Sequence, residues 1–364
     1  MRIAIVAPYD LSAAGGINNQ IRAQARALRR NGHDVVVAGA ASGDLAEGEV
    51  SLGRTVRVTF GGTDSGLGVD PRGVAAVRRL MRQPFDVVHV HEPLVPLVPW
   101  IVLRQSRVPL VATFHVHREH GHRFYAAWRW VLTPLVRRLA ARIAVSEAAR
   151  RTVAEQFPGE YEIVPNGIEG DRFRTRQPRP AIFASGRRHV VYIGRLEPRK
   201  GVDHLIRAMP VVQRVIADIA LVIVGDGSSR EALAELARDA GATVHFTGHI
   251  DDDELPAYFQ AADIFCAPAL GGESFGIVLL EAMACGTPVV ASRIEGYEAL
   301  AGAAGAAAFV PPGDAGALAA AVTRLLGSAA ERRALADAGS ALARDHDWET
   351  LAPRLETIYR RVIA

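Results

Sequence analysis

Gly271-Gly272-Glu273-Ser274-Phe275-Gly276-Ile277-Val278-Leu279-Leu280-Glu281 runs on into Ala282-Met283-Ala284-Cys285-Gly286-Thr287-Pro288-Val289-Val290. It reads as a glycine-rich loop opening into an apolar helix, then a glycine cap and a buried strand. A helix start around Ser274 to Ile277 presents free backbone N–H groups and the positive end of the helix dipole, a setting suited to phosphate. Glu273 stands just before that start. Glu281 lies roughly two turns past Ser274, on the same face. Carboxylates on both sides of a phosphate-ready helix end can accept hydrogen bonds from sugar hydroxyls flanking a diphosphate. That is a nucleotide-sugar site in outline.

Outward from this stretch, short apolar strands alternate with helical patterns, the signature of parallel α/β sheets. Strands are expected at Ile3–Ala7, Asp34–Ala38, Asp86–His91, Leu110–Phe114, Arg142–Val145 and Tyr161–Pro165. The pattern restarts at Val190–Ile193, Ala220–Val224, Thr243–Phe246, Ile264–Ala267, Val289–Ala291 and Ala307–Val310. Helices are expected between them, among them Asn18–Asn31, Val202–Val215, Arg230–Ala240 and Ala315–Leu326. A chain of 364 residues exceeds what one core usually supports. The expectation is two facing Rossmann-like, doubly wound domains, residues 1–166 and 167–348, with a last helix at about 349–364 packing back on the first. Ligands would then gather at the strand C-terminal ends, in the cleft.

Lys200 is the only lysine in the chain; every other fixed cation is an arginine. Where so strong a bias is resisted, a compact ammonium has a reason to be there. Lys200 closes Gly194-Arg195-Leu196-Glu197-Pro198-Arg199-Lys200-Gly201, so Arg195 and Lys200 can reach one pocket mouth; the alternative is a chance lysine on a solvated loop. A formal charge of +3 implies no wholesale nucleic-acid binding. Cys266 and Cys285 form no metal or disulfide pattern and suggest a reducing cytoplasm. The first apolar run reads as a strand rather than a signal peptide. Pro93–Leu103 is too short and proline-rich to span a bilayer.

Gly15-Gly16, after the first strand, can form a backbone nest for an anion, though without the full dinucleotide fingerprint. His89 and His91 alternate on one strand, with His115 and His117 at the end of another. Such a pair could hold zinc, but no cysteine or acidic partner completes a ligand set, and no metal site is assigned. His115 is expected to project into the cleft as a polar wall; the alternative is a satisfied buried histidine. Pro71–Gln83 carries Arg72, Arg78, Arg79 and Arg82 beside apolar residues, a short basic amphipathic helix able to touch an anionic membrane. The aromatic run Phe124–Trp130 offers interfacial anchors. For both segments an ordinary packed helix is the alternative.

These residues together resemble the family 4 retaining glycosyltransferases of GT-B fold, and among them bacterial phosphatidylinositol mannosyltransferases. The resemblance rests on Pro8-Tyr9 with Gly15-Gly16, Asp86–Pro93, Ala112–His115, Arg142–Ser146, Pro165-Asn166-Gly167, Glu197–Gly201 and the full Gly271–Glu281 run. It implies that Arg195 and Lys200 grip the donor diphosphate while Gly15 and Gly16 close over it. It implies that Glu273 holds donor-sugar hydroxyls, aided by Ser274 and the amides of Phe275, Gly276 and Ile277, and that Glu281 takes the ribose. His115 would sit near the anomeric centre, and Ile250 and Asp252 beside the base. A carboxylate at Asp252 matches the two adjacent donors of guanine, which favours a GDP-sugar over the UDP-sugar alternative.

The chemistry implied is metal-independent: cations and amides stabilise the leaving diphosphate, and one of its oxygens takes the acceptor's proton on the same face. His115, Arg195, Lys200 and Glu273 form the catalytic set. Tyr9, Asn18, His115 and Arg118 are the acceptor-side candidates for a lipid or polyol such as phosphatidylinositol. There Gly61–Gly68 lacks the arginine that the inositol-lipid enzymes use near the acceptor phosphate. Val116–His120 departs from their Ser/Thr-rich segment. No cofactor beyond the nucleotide-sugar co-substrate is implied, and the expected location is cytoplasmic, peripheral on the inner face of the plasma membrane. From other classes, an epimerase would turn over without acceptor, and a nucleotide-sugar sensor would not need the leaving-group residues.

Overall fold

A computed structural model describes residues 1–13, 15–60, 63–68, 71–116, 122–184, 186–273 and 275–364; residues 56–60, 63–68, 71 and 72 are described as backbone only. The chain divides into two compact units, Met1–Gly167 with Trp348–Ala364, and Ile168–Asp347.

The first unit holds β1 (Arg2–Val6), β2 (Asp34–Gly39), β3 (Glu49–Ser51), β4 (Thr55–Phe60), β5 (Thr63–Gly68), β6 (Val87–His91), β7 (Leu110–Phe114), β8 (Leu139–Ala144) and β9 (Glu162–Ile163). Seven of them form one sheet in the order β3-β2-β1-β6-β7-β8-β9, every pair parallel. β4 and β5 pair separately as an antiparallel hairpin. β1 and β7 are almost wholly buried apolar runs, as strands covered on both faces must be, and β6 is buried throughout although it carries His89 and His91. Helix Gly16–Arg30 lies on one face through Ile21, Ala25 and Leu28.

The last helix, Trp348–Ile363, completes that same face. Trp348, Leu351, Leu355, Ile358 and Tyr359 are buried with Ile3, Ile5 and Val87. Five such side chains contribute on the order of 10 kcal/mol of gross hydrophobic burial. The C-terminal segment is therefore part of the first unit's core.

The second unit holds β10 (Arg188–Ile193), β11 (Ile219–Val224), β12 (Val244–Gly248), β13 (Ile264–Ala267), β14 (Val289–Ser292) and β15 (Ala308–Val310). They form one parallel sheet ordered β12-β11-β10-β13-β14-β15. Helix Val202–Val215 buries Leu205, Ile206, Met209 and Val212 on one face. Helix Ile277–Ala284 buries Leu279, Leu280 and Met283 on the other. Both sheets reverse strand order once, between β1 and β6 and between β10 and β13. In doubly wound sheets that reversal opens a crevice at the strand C-terminal ends where ligands bind.

Candidate active site

In the second unit the loops after β10 and β13 flank the reversal. The β10 loop makes a single 3-10 turn, Pro198–Lys200, and enters the next helix through Gly201 at φ +65°. A Cβ there would stand 2.1 Å from the Pro268 carbonyl oxygen, so only glycine lets the two loops touch. The contact is sealed by the Leu270 N–H donating to the Arg199 carbonyl at 2.8 Å.

Charges alternate across this contact. Arg195 Nη1 is 2.8 Å from Glu197 Oε1, and Glu197 Oε2 is 2.9 Å from Arg199 Nε. Arg199 Nη1 and Lys200 Nζ both reach Glu273 Oε1, at 2.5 and 2.7 Å. Lys200 and Glu273 each keep 17% of the side chain exposed, whereas Arg195 keeps 56%. The structure thus brings Arg195, Lys200 and Glu273 into one cluster, through two residues the sequence reading did not single out, Glu197 and Arg199. Both lie in the Glu197–Gly201 run that carries the family resemblance, which gave neither of them a role.

The helix expected to start around Ser274 begins instead at Ile277. Gly276 takes a left-handed conformation, φ +99°, which interrupts the helical run; a Cβ there would meet the Tyr297 ring at 2.8 Å. Phe275 is buried and Ile277 part-buried; Ser274 lies outside the described residues. Further along the helix, burial raises the Glu281 carboxyl to about 7, with Arg172 working against that rise and Asp252 adding to it. Arg172 also donates to the Asp252 carbonyl and lies 3.9 Å from Asp253. Glu281, Arg172 and Asp252 therefore form a second polar group in this unit. Asp252 is exposed, and Ile250 packs part-buried on the core.

In the first unit Asp10 organises the loop after β1. Burial works to raise its carboxyl, but hydrogen bonds from Ser12, Ser42 and Thr55 outweigh that and hold it at about 2. The Asn18 amide donates to the carbonyls of Asp10 (2.7 Å) and Ala13 (2.9 Å). The side chain ties the loop to the helix and is 4% exposed, and its Oδ1 has no hydrogen-bond partner among the described residues. Tyr9 is part-buried on the same loop, and Gly15 and Gly16 are exposed at the start of helix Gly16–Arg30.

Glu92, at the end of β6, is buried with φ +41°, a rare conformation for a residue with a side chain. Its Oε1 accepts the backbone N–H groups of His115 and of Val116 (2.8 Å), and Tyr125 donates to Oε2 at 3.3 Å. Burial raises its carboxyl above the ordinary value. Glu92 thereby fixes the backbone at His115, a role the sequence reading missed. The His115 ring does not project as an open polar wall. It is 6% exposed, 2.8 Å from His91 Nδ1, and hydrogen-bonded to Asn166. Burial depresses His115 to about 4. His89, His91 and His115 stack in a row, and among the described residues no cluster of His, Cys, Asp and Glu could hold a metal.

The basic helix is Pro71–Leu80. Its Val77 and Leu80 are buried in the unit's own core, so its apolar face is already spent, while Arg78, Arg79 and Arg82 are exposed. The side chain of Arg72, all of Arg118, and Gly61-Gly62 lie outside what is described. Trp128 and Trp130 are 46% and 80% exposed. Among the described residues no helix is long and apolar enough to cross a membrane.

Residues 14–172 match the family described as Glycosyltransferase Family 4, and residues 173–341 match Glycosyl transferases group 1. The chain is 36% identical to phosphatidyl-myo-inositol mannosyltransferase of Mycobacterium leprae over 366 aligned residues, covering 100% of this chain and 97% of that one. It is 33% identical to a glycogen synthase of Mycobacterium tuberculosis over 99% of this chain and 94% of that one. Among solved structures, sucrose-phosphate synthase from Thermosynechococcus elongatus superposes with a TM-score of 0.76 at 23% identity, covering 99% of this chain and 98% of that one. Anabaena HepE in complex with UDP gives 0.78 at 21%, covering 99% and 100%. Two parallel-sheet units, the Lys200–Glu273 cluster beside a strand-order reversal, and full-length identity above thirty per cent lead to one conclusion: the chain belongs to the family 4 glycosyltransferases of GT-B fold and is a retaining hexosyltransferase.

Proposed function

We propose that this enzyme transfers mannose from GDP-mannose to phosphatidyl-myo-inositol, with retention and without a metal. The observation that carries the reading is the identity of 34–36% over the whole chain to mycobacterial phosphatidyl-myo-inositol mannosyltransferases. Breaking the sugar–phosphate bond leaves negative charge on the diphosphate. In this reading Lys200 and Arg195 receive that charge, with the amides at the start of helix Ile277–Ala284 and the Gly15-Gly16 backbone. Fixed donors and cations of this kind act as electrostatic preorganisation. Glu273, set by Arg199 and Lys200, takes donor-sugar hydroxyls. Glu281 takes the ribose. Exposed Asp252 accepts the adjacent donors of guanine. Tyr9 and the chain around His115 face the acceptor, whose proton leaves on a phosphate oxygen.

A UDP-sugar donor is the second reading, favoured by the likeness to a structure holding UDP. Membrane contact, in the first reading, comes from exposed Trp128 and Trp130 as interfacial anchors and from Arg78, Arg79 and Arg82 as an electrostatic contribution. The test is thermal stabilisation by GDP, GDP-mannose, UDP and UDP-glucose, each with and without a chelator. It is followed by assay of mannose transfer to phosphatidylinositol with NMR of the product anomer. Selective stabilisation by GDP compounds and an α-mannosyl product support the reading. Selective stabilisation by UDP compounds, or activity lost to chelator, overturns it.

A further inference from the structure

The first unit holds a small cavity of about 10 Å³, lined by Thr113, His91, His115, Asn166 and Trp348 among others. That is about the room one water needs. Two of the lining atoms, His91 Nε2 and Trp348 Nε1, are buried and have no hydrogen-bond partner among the described residues. Their residues are 2% and 4% exposed. Buried polar groups are paired as a rule, through water where protein does not reach.

The surrounding hydrogen bonds give this cavity a direction. Gln24 Nε2 has two hydrogens, one for His89 Nδ1 and one for the Tyr359 hydroxyl, both at 3.0 Å. The Tyr359 hydroxyl donates to the same Nδ1 at 2.6 Å, so the two donors share its single lone pair. A neutral imidazole has one donor and one acceptor, so the other nitrogen, His89 Nε2, donates to Thr113 Oγ1 at 2.7 Å. The Thr113 hydroxyl hydrogen is left to point into the cavity. Indole N–H only donates, so a water accepting from Trp348 must donate onward; His91 Nε2, the other unpaired atom of the lining, is assigned as the acceptor of that hydrogen. His91 therefore carries its proton on Nδ1 and donates to His115 Nε2 at 2.8 Å. His115 in turn keeps its proton on Nδ1, for Asn166.

We propose that one buried water joins Trp348 and Thr113 to His91, closing a relay from Tyr359 through His89, Thr113, the water and His91 that holds His115 in its Nδ1–H tautomer. Burial depresses all three histidines, which keeps the row neutral. Both ring nitrogens of His115 are then occupied, so its ring is neither acid nor base toward substrate, and His91 and Trp348 are positioning residues. The link to activity rests on the placement of His115 beside the reacting sugar; the tautomers themselves do not.

The test is a crystal structure of the full chain at a resolution that shows ordered water, with histidine side-chain 15N spectra between about pH 5 and 8. The expected result is one water bridging Trp348 Nε1 and His91 Nε2, with Nδ1–H at His91 and His115 and Nε2–H at His89. An Nε2–H tautomer at His91 or His115, or no water there, overturns the proposal. Trp348→Phe keeps an aromatic ring at the site and removes the one donor, together with part of the buried indole volume. It should perturb the His91 and His115 signals and lower kcat by about two- to tenfold with donor KM unchanged, the scale of one net hydrogen bond; unchanged signals in a folded Trp348→Phe refute the relay. The spectra need no substrate, so absent mannosyl transfer would sink the proposed function and leave the relay standing, while the wrong tautomers would do the reverse.

Discussion

Replacing Lys200 by alanine separates a catalytic cation from a structural one, because Glu273 has two partners. Lys200 Nζ and Arg199 Nη1 share Glu273 Oε1 at 2.7 and 2.5 Å. In Lys200→Ala the Arg199 guanidinium remains, so Glu273 is not left as an unpaired, largely buried carboxylate. The stability cost should then stay near 1 kcal/mol, the scale of a partly exposed ion pair, or about 2–4 °C in a unit of this size. Turnover is different. A unit charge about 4 Å from the leaving diphosphate, at an effective dielectric near 20, interacts by roughly 4 kcal/mol. Losing one preorganised donor at a developing anion costs about 10²–10³ in kcat. The assay is GDP release from GDP-mannose with phosphatidylinositol in detergent, alongside thermal melts. Expected is kcat down about 10²–10³ with a melting temperature within a few degrees of wild type. Lys200→Arg should recover only part of the rate, since a planar fork beside Arg199 cannot put its charge where a compact ammonium stood. Near wild-type kcat in a folded Lys200→Ala, or a collapse of stability matching the loss of rate, would refute the reasoning.

Glu92→Ala removes the acceptor of two buried N–H groups and should cost about 2–4 kcal/mol in urea unfolding, with faster amide exchange at Val116. The folded-state pKa of Glu281 is raised from 4.5 to about 7, so its protonation favours the folded chain: its contribution is full at low pH and is lost as pH rises from about 4.5 through 7. Glu281→Gln should flatten that fall in melting temperature; an unchanged pH profile contradicts it. His89 and His115 are depressed to about 3 and 4, so acid should destabilise the first unit below pH 6.5, by roughly 1.4 kcal/mol per pH unit for each histidine until its folded pKa is reached. Urea melts of wild type and Glu281→Gln at pH 7 and pH 5 check this, the variant removing the opposing effect of Glu281. Trp130→Ser, 80% exposed in the parent, should weaken binding to anionic vesicles several-fold without shifting the melting temperature; equal vesicle binding by the variant counts against the aromatic anchor.

What the sequence reveals here follows the range of the interactions involved. Strands such as Ile219–Val224 are legible because both faces are buried and the run is continuously apolar. Helix Val202–Val215 is legible because its stripe repeats at the helical period and glycine marks its start. Lys200 stands out by composition and Glu273 by its place before a helix. What the sequence hides is which partners a residue meets across the fold. Helix Pro71–Leu80 has the same pattern whether its apolar face meets lipid or, as here, the core of its own unit. Glu92 looks like one more acid after a strand, and only the parallel pairing of β6 with β7 puts its carboxylate under the His115 amide. The histidines at 89, 91 and 115 could be read as ligands or as core. Gln24 and Tyr359, the latter 270 residues further along the chain from His89, give the first of them its hydrogen bonds and seat it in the core. Local pattern specifies the elements. The chemistry of a side chain is specified by whatever the sheet order places beside it, and that order is written in no single stretch of the chain.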